Sequence, residues 1–158
     1  MRALVIEDDP VQVKLVDAAL RRMGFEVITA EDGIDGLIAL FDHDVFDLAI
    51  VDWHTERLSG LSFLCAVRAE PRFDSMLVLM LTAEMNKDNV IKAIKSGASQ
   101  YVVKPFKQAV MIAKLQEMGF VEVSQNGLPE GAQRLGIPQD AETATIVRTK
   151  RKERGEAD

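Results

Sequence analysis

Over the first 120 residues, short apolar runs alternate with longer stretches whose apolar side chains recur at helical spacing. A parallel sheet covered by helices on both faces accommodates that alternation, because each of its strands is buried on two sides. Five runs read as strands: Ala3 to Ile6, Glu26 to Thr29, Leu48 to Val51, Met76 to Leu81 and Tyr101 to Val103. Each is rich in β-branched or large aliphatic residues and is bounded by charged or turn residues. Between them, Val13, Val16, Leu20 and Met23 lie on one predicted helix face. Ile34, Leu37, Ile38 and Phe41 lie on a second, and Val90, Ala93, Ile94 and Gly97 on a fourth. A third helix is predicted from Leu61 to about Glu70 and a fifth from about Lys107 to Met118. Pro10 suits a first helical turn, and Gly24 and Gly97 suit helix ends. The expected fold is a doubly wound α/β domain of five βα units over residues 1–120.

Residues 121–158 lose this patterning and are punctuated by Asn126-Gly127, Pro129, Gly131, Gly136 and Pro138. A winged helix or other output domain needs three helices around a core, which 38 such residues do not supply. The segment is expected to be a flexible extension without an output domain. Its last eleven residues hold five basic and three acidic side chains. The basic ones, Arg148, Lys150, Arg151, Lys152 and Arg154, are interspersed with acids and have no apolar face beside them. They read as a solvated run and not as a nucleic-acid or membrane patch. The net charge of −6 also argues against direct DNA binding. One cysteine rules out an internal disulfide framework. With no signal peptide pattern, and no apolar run longer than Met76 to Leu81, the expected address is cytoplasmic, without a membrane partner.

In an open parallel sheet, ligands bind beyond the carboxyl ends of the strands, where the strand order reverses. Strand one ends in Glu7-Asp8-Asp9, strand three in Asp52, strand four in Thr82 and strand five in Lys104-Pro105. With strand order 2-1-3-4-5 the acids of strands one and three meet at the switch point, flanked by Thr82 and Lys104. Clustered carboxylates repel unless one is protonated or a cation joins them. All-oxygen ligation with retained waters suits Mg2+ and leaves room for a phosphoryl oxygen. Asp52 then suits a nucleophile towards phosphorus, while Lys104 and Thr82 suit groups that neutralise or hydrogen-bond the phosphoryl oxygens.

These residues resemble the receiver domain of bacterial two-component response regulators, of the CheY-like single-domain kind with a flavodoxin-like fold. The resemblance covers about residues 1–120. It rests on Glu7-Asp8-Asp9, Asp52-Trp53, Gly60-Leu61, Thr82-Ala83-Glu84, Gly97-Ala98 and Tyr101-Val102-Val103-Lys104-Pro105-Phe106, in that order and spacing. It implies that Asp52 accepts a phosphoryl group from a histidine kinase or a histidine phosphotransfer protein. It further implies Mg2+ held by the Asp9 and Asp52 side chains and the His54 backbone carbonyl, with Asp8 acting through water. Thr82 would turn towards the phosphoryl group, Lys104 would pair with it, and the Lys104-Pro105 bond would be cis. Tyr101 would change rotamer and remodel the face of the fourth helix, fifth strand and fifth helix, where a target protein or a second copy of the chain would bind. Such a change is a population shift, driven by differential stabilisation of one of two states.

The family usually has a proline four residues after the acceptor, where this chain has Glu56, so the loop after Asp52 is expected to be more mobile. His54 and Glu84, each two residues beyond a site residue, are expected to tune the lifetime of the phosphoryl group. Cys65 is expected to be a small core residue. Asp8 or Asp9 also suits an N-cap of the first helix. A phosphorylation-independent adaptor of the same fold is the alternative function, against which the full set of acids, Thr82 and Lys104 speaks. A metal-dependent phosphatase would want a second acid two residues after the nucleophile, where His54 stands.

Overall fold

A computed structural model describes residues 1–43, 45–83 and 86–123. Five parallel strands, β1 (Arg2–Ile6), β2 (Glu26–Ala30), β3 (Leu48–Asp52), β4 (Leu77–Thr82) and β5 (Gln100–Val103), form one sheet in the order β2-β1-β3-β4-β5. Helices α1 (Pro10–Arg22), α2 (Gly33–Asp42), α3 (Gly60–Ala69), α4 (Lys87–Lys95) and α5 (Gln108–Glu117) connect and cover them, and a short 3-10 turn spans Pro71–Phe73. The expected doubly wound architecture is therefore the observed one.

Strand periodicity divides the core in two. Ala3 and Val5 of β1 and Leu48 and Ile50 of β3 pack with Val16 and Leu20 of α1 and Met111 and Leu115 of α5. Leu4, Ile6, Ala49 and Val51 face the other way, onto Leu40 of α2 and Phe63, Leu64 and Val67 of α3. All of these strand residues are fully buried, which is why the runs contain no polar alternation. Side chains at the helix starts satisfy otherwise unpaired backbone donors: Asp9, Asp32, Ser59 and Asn86 cap α1, α2, α3 and α4.

Two expectations about helix faces are corrected. On α2 the buried residues are Gly33, Gly36 and Leu40, whereas Ile38 and Phe41 are exposed. The helix approaches the sheet on its glycines: a Cβ on Gly36 would lie 2.3 Å from Ile6 Cδ1 and 3.2 Å from Phe63 Cε2. Apolar periodicity cannot register a face built on missing side chains. On α3, Cys65 is exposed, because the buried stripe runs through Gly60, Phe63, Leu64 and Val67.

The chain leaves α5 through Phe120, which is buried and packs edge-on against Phe25 with ring centroids 4.9 Å apart. Val123 N then donates to Arg22 O at 3.0 Å, and Arg22 pairs with Glu122. The first residues beyond position 120 thus join the folded unit. The flexible extension expected over the rest, with its basic run, falls on residues 124–158, outside those described. No helix among the described residues is long and apolar enough to cross a membrane.

Candidate functional site

Because β1 and β3 are neighbours in register, with Ile6 opposite Val51, the residues following β1 and those ending β3 meet at one edge of the sheet. There Glu7, Asp8 and Asp52 each bring a carboxylate oxygen to within 4.8 Å of the others. Glu7 and Asp52 are buried and Asp8 is exposed, so the group opens to solvent on the Asp8 side. A hollow beside it, lined by Asp8, Glu31, Asp32 and Glu56, adds further negative charge.

Lys104, directly after β5, carries the counter-charge. Lys104 N donates to Thr82 O at 2.7 Å, and the Lys104-Pro105 peptide is cis. The Lys104 ammonium reaches Glu7 Oε2 at 2.6 Å and Asp52 Oδ2 at 3.3 Å. One cation is thus shared by two buried acids. Burial pushes the Glu7 carboxyl above the ordinary value of 4.5, and neighbouring Asp52 adds to the effect, while donation from Lys104 and from the Asp9 N–H only partly offsets it. For Lys104, burial works against the ammonium, but the pull of Glu7 and Asp52 outweighs it and its pKa is raised. This donor set, three carboxylates against one ammonium, is short of positive charge and fits a hard divalent cation.

The structure also redistributes roles within the acid run. Asp9 is not in the carboxylate group: its Oδ1 accepts from Val11 N at 2.9 Å and caps α1, ahead of Pro10 in the first turn. Its own N–H donates to Glu7 Oε1 at 3.2 Å. The expectation that Asp9 ligates directly, with Asp8 behind it, therefore does not match the geometry, in which Glu7 and Asp8 stand with Asp52. The signal was present in the sequence, since an acid immediately before a first-turn proline is placed to cap the helix. Glu7 as the partner of Lys104 was also missed, because their 97-residue separation leaves no local trace.

His54 N donates to Asp52 Oδ1 at 3.3 Å, which places that residue beside the Asp52 carboxylate. Thr82 is buried at the end of β4. Tyr101 is half-buried, with the Lys114 ammonium 5.6 Å from its ring centre. Glu84 lies outside the described residues. From the loop after Asp52, expected to be more mobile, Arg57 bonds Asp32 and Asp35 at the start of α2.

The model of the family described as response regulator receiver domain matches residues 3–116. A chemotaxis protein CheY homologue of Campylobacter jejuni is 33% identical over 119 residues, covering 75% of this chain and 92% of the relative. Among solved structures, the chemotaxis response regulator CheY4 of Vibrio cholerae superposes with a TM-score of 0.68 at 29% identity, over 73% of this chain and 96% of that one. The receiver domain of sensor histidine kinase PA1611 of Pseudomonas aeruginosa, with a magnesium ion coordinated in its active site cleft, superposes with a TM-score of 0.64 at 28% identity, over 73% of this chain and 94% of that one. Strand order, acid group and family match agree: the chain belongs to the response regulator receiver domain family, the phosphorylation-activated modules of two-component signalling.

Proposed function

We propose that Asp52 is the phosphoacceptor, and that the protein signals by changing a protein-binding face once this residue is phosphorylated. The observation that carries the reading is a buried carboxylate at the end of the central strand, 3.3 Å from a lysine ammonium and grouped with two further acids. An Asp52 oxygen attacks the phosphorus of a phosphohistidine on a kinase or phosphotransfer protein. The P–N bond breaks and the imidazole leaves, taking up a proton. Lys104 is placed to follow the charge: as Asp52 becomes an acyl phosphate, its ammonium passes from carboxylate to phosphoryl oxygen. Glu7, Asp8 and Asp52 would hold Mg2+, with the His54 carbonyl as backbone donor, and the ion would offset the charge gathered on the phosphoryl oxygens. In the reverse step, water attacks phosphorus, the bond to Asp52 breaks, and inorganic phosphate departs. His54 and Glu84 would set how readily that water arrives. The protein thus promotes its own phosphorylation and dephosphorylation without being an enzyme towards a free substrate.

Thr82 and Tyr101 would relay the change. The face they serve carries exposed Ile91 and Ile94 of α4 and exposed Val110 of α5, an apolar set suited to a protein partner or a second copy. Together with the single, exposed Cys65, the phosphohistidine donor supports a cytoplasmic setting.

Acetyl phosphate with Mg2+ tests the reading. Intact-mass measurement is expected to show one added phosphoryl group in the wild type and none in Asp52→Asn, with a change in Trp53 fluorescence beside the acceptor. An unlabelled wild type without a Mg2+-dependent signal would leave the adaptor alternative as the better account.

A further inference from the structure

The loop between β3 and α3, residues 53–59, carries the residues that follow the acceptor, and the family's usual proline is replaced in it by Glu56. Its order comes from another source. Arg57 Nε donates to Asp32 Oδ2 at 2.6 Å, and Arg57 Nη2 donates to Asp32 Oδ1 at 3.3 Å and to Asp35 Oδ1 at 2.5 Å. Asp32 is itself buried and fixed, since Oδ1 also accepts from Asp35 N as the cap of α2. Next to this fork, the loop backbone presses on the first residue of α2: a Cβ on Gly33 would lie 2.6 Å from Leu58 O. Thr55 Oγ1 donates to the same Leu58 carbonyl and closes the loop on itself. At its start, the loop is bonded to the site through His54 N and Asp52 Oδ1.

We propose that Arg57 is a positioning residue for the cation site, clamping the β3–α3 loop to the start of α2 so that the backbone beside Asp52 is already ordered when a divalent ion arrives. An exposed ion pair ordinarily contributes little. This one differs, because the fork is bidentate and its main partner is a buried, backbone-bonded carboxylate, so its geometry is set before the pair forms. Ordering that an arginine supplies in the free protein is ordering that ion binding does not have to supply. The clamp also sets a guanidinium against Asp32 and Asp35, and Asp32 is one of the four acids that line the hollow beside the site.

The inference rests on the cation reading above, and one set of titrations separates the two. MgCl2 is titrated into the full chain while Trp53 fluorescence is followed, for wild type, Arg57→Ala, Arg57→Lys, Asp32→Asn and the Arg57→Ala/Asp32→Asn double variant. Arg57→Ala is expected to bind Mg2+ about tenfold more weakly, the scale on which loss of an outer partner weakens metal sites. Arg57→Lys should recover part of the loss. Asp32→Asn keeps an oxygen to cap α2 but loses the ionic fork, so it should weaken binding similarly, and the double variant should be no weaker than either single one. At saturating Mg2+, labelling of Asp52 by acetyl phosphate should return to the wild-type level, since Arg57 orders the loop and does not touch phosphorus. Wild-type affinity in both Arg57→Ala and Asp32→Asn overturns the clamp alone, whereas a wild type silent to Mg2+ overturns the cation reading and the clamp with it. Should Arg57→Ala not fold, Arg57→Lys and Asp32→Asn decide the matter by the same comparison.

Discussion

Adjacent acids after β1 meet different partners. Glu7 faces Lys104, Asp8 opens to solvent beside Asp52, and Asp9 already belongs to the helix. Substitution should separate these roles. Asp9→Ala is expected to cost about 1 kcal/mol in urea unfolding, the usual loss for a missing N-cap, and to leave Mg2+ affinity within twofold or so of wild type. Asp8→Ala should leave unfolding nearly unchanged but weaken Mg2+ binding by more than about 100-fold, beyond what an outer partner alone controls. If Asp9→Ala loses Mg2+ and Asp8→Ala keeps it, the assignment drawn from the geometry is wrong.

Glu7 gives the same site a pH dependence. Burial raises its carboxyl above 4.5, so as pH falls it takes up a proton, which competes with a cation, before an ordinary carboxylate does. The folded state binds that proton more tightly than the unfolded chain. Its contribution to metal-free stability is therefore present below 4.5 and lost as pH rises through the raised value. Lys104 acts in the opposite range: its raised value keeps its contribution intact below 10.5, and the contribution is lost only as pH climbs through the folded value. The Mg2+ concentration needed for half-saturation should thus increase as pH falls through the raised Glu7 value, and Glu7→Gln should flatten that dependence. Trp53 titrations across a pH series provide the measurement, and a wild-type affinity constant down to 4.5 would contradict the assignment.

At the scale of elements, α2 shows how far periodicity carries. A helix between β2 and β3 was legible because apolar residues recur every three or four positions, yet the face it buries was not. Ile38 and Phe41 point outward, where Arg72 lies 4.4 Å from the Phe41 ring centre, while Gly36 lets the helix settle onto Ile6. Gly36→Val is expected to destabilise the domain by about 1 to 3 kcal/mol through overpacking, read as a lower urea midpoint. Ile38→Ser, on the exposed side, should stay within about 0.5 kcal/mol of wild type. The reverse ranking would restore the apolar face read from spacing. The β3–α3 loop teaches a related lesson: Glu56 in place of proline suggested mobility, but Arg57 reaches an acid 25 residues earlier in the chain, which no local rule connects.

For the whole molecule, the question is where the folded unit ends. Periodicity stops near Met118, but Phe120 is buried against Phe25 and Val123 is bonded to the end of α1, so the C-terminal strand of contacts closes the α1–α5 layer. A chain cut after Val123 should unfold cooperatively at nearly the full-length midpoint. A chain cut after Gly119 should lose about 3 kcal/mol, as expected when a buried aromatic ring is removed. Equal stabilities of the two would show that the core ends with α5.

The sequence alone determined the doubly wound architecture, because buried parallel strands and covering helices impose different periods that survive in any single stretch of chain. It also pointed to the strand ends whose polar residues meet at one edge of the sheet, since ligands gather at the carboxyl edge of such a sheet. Tertiary structure decided what depends on distance between elements: that Glu7 and Asp8, not Asp9, stand with Asp52; that Lys104 is divided between two acids; that α2 turns its glycines inward; and that Arg57, in the loop after Asp52, bonds Asp32 at the start of α2. The physical reason is common to all four. Capping, charge pairing and close approach are contests between neighbours in space, and those neighbours are named only when the chain has folded.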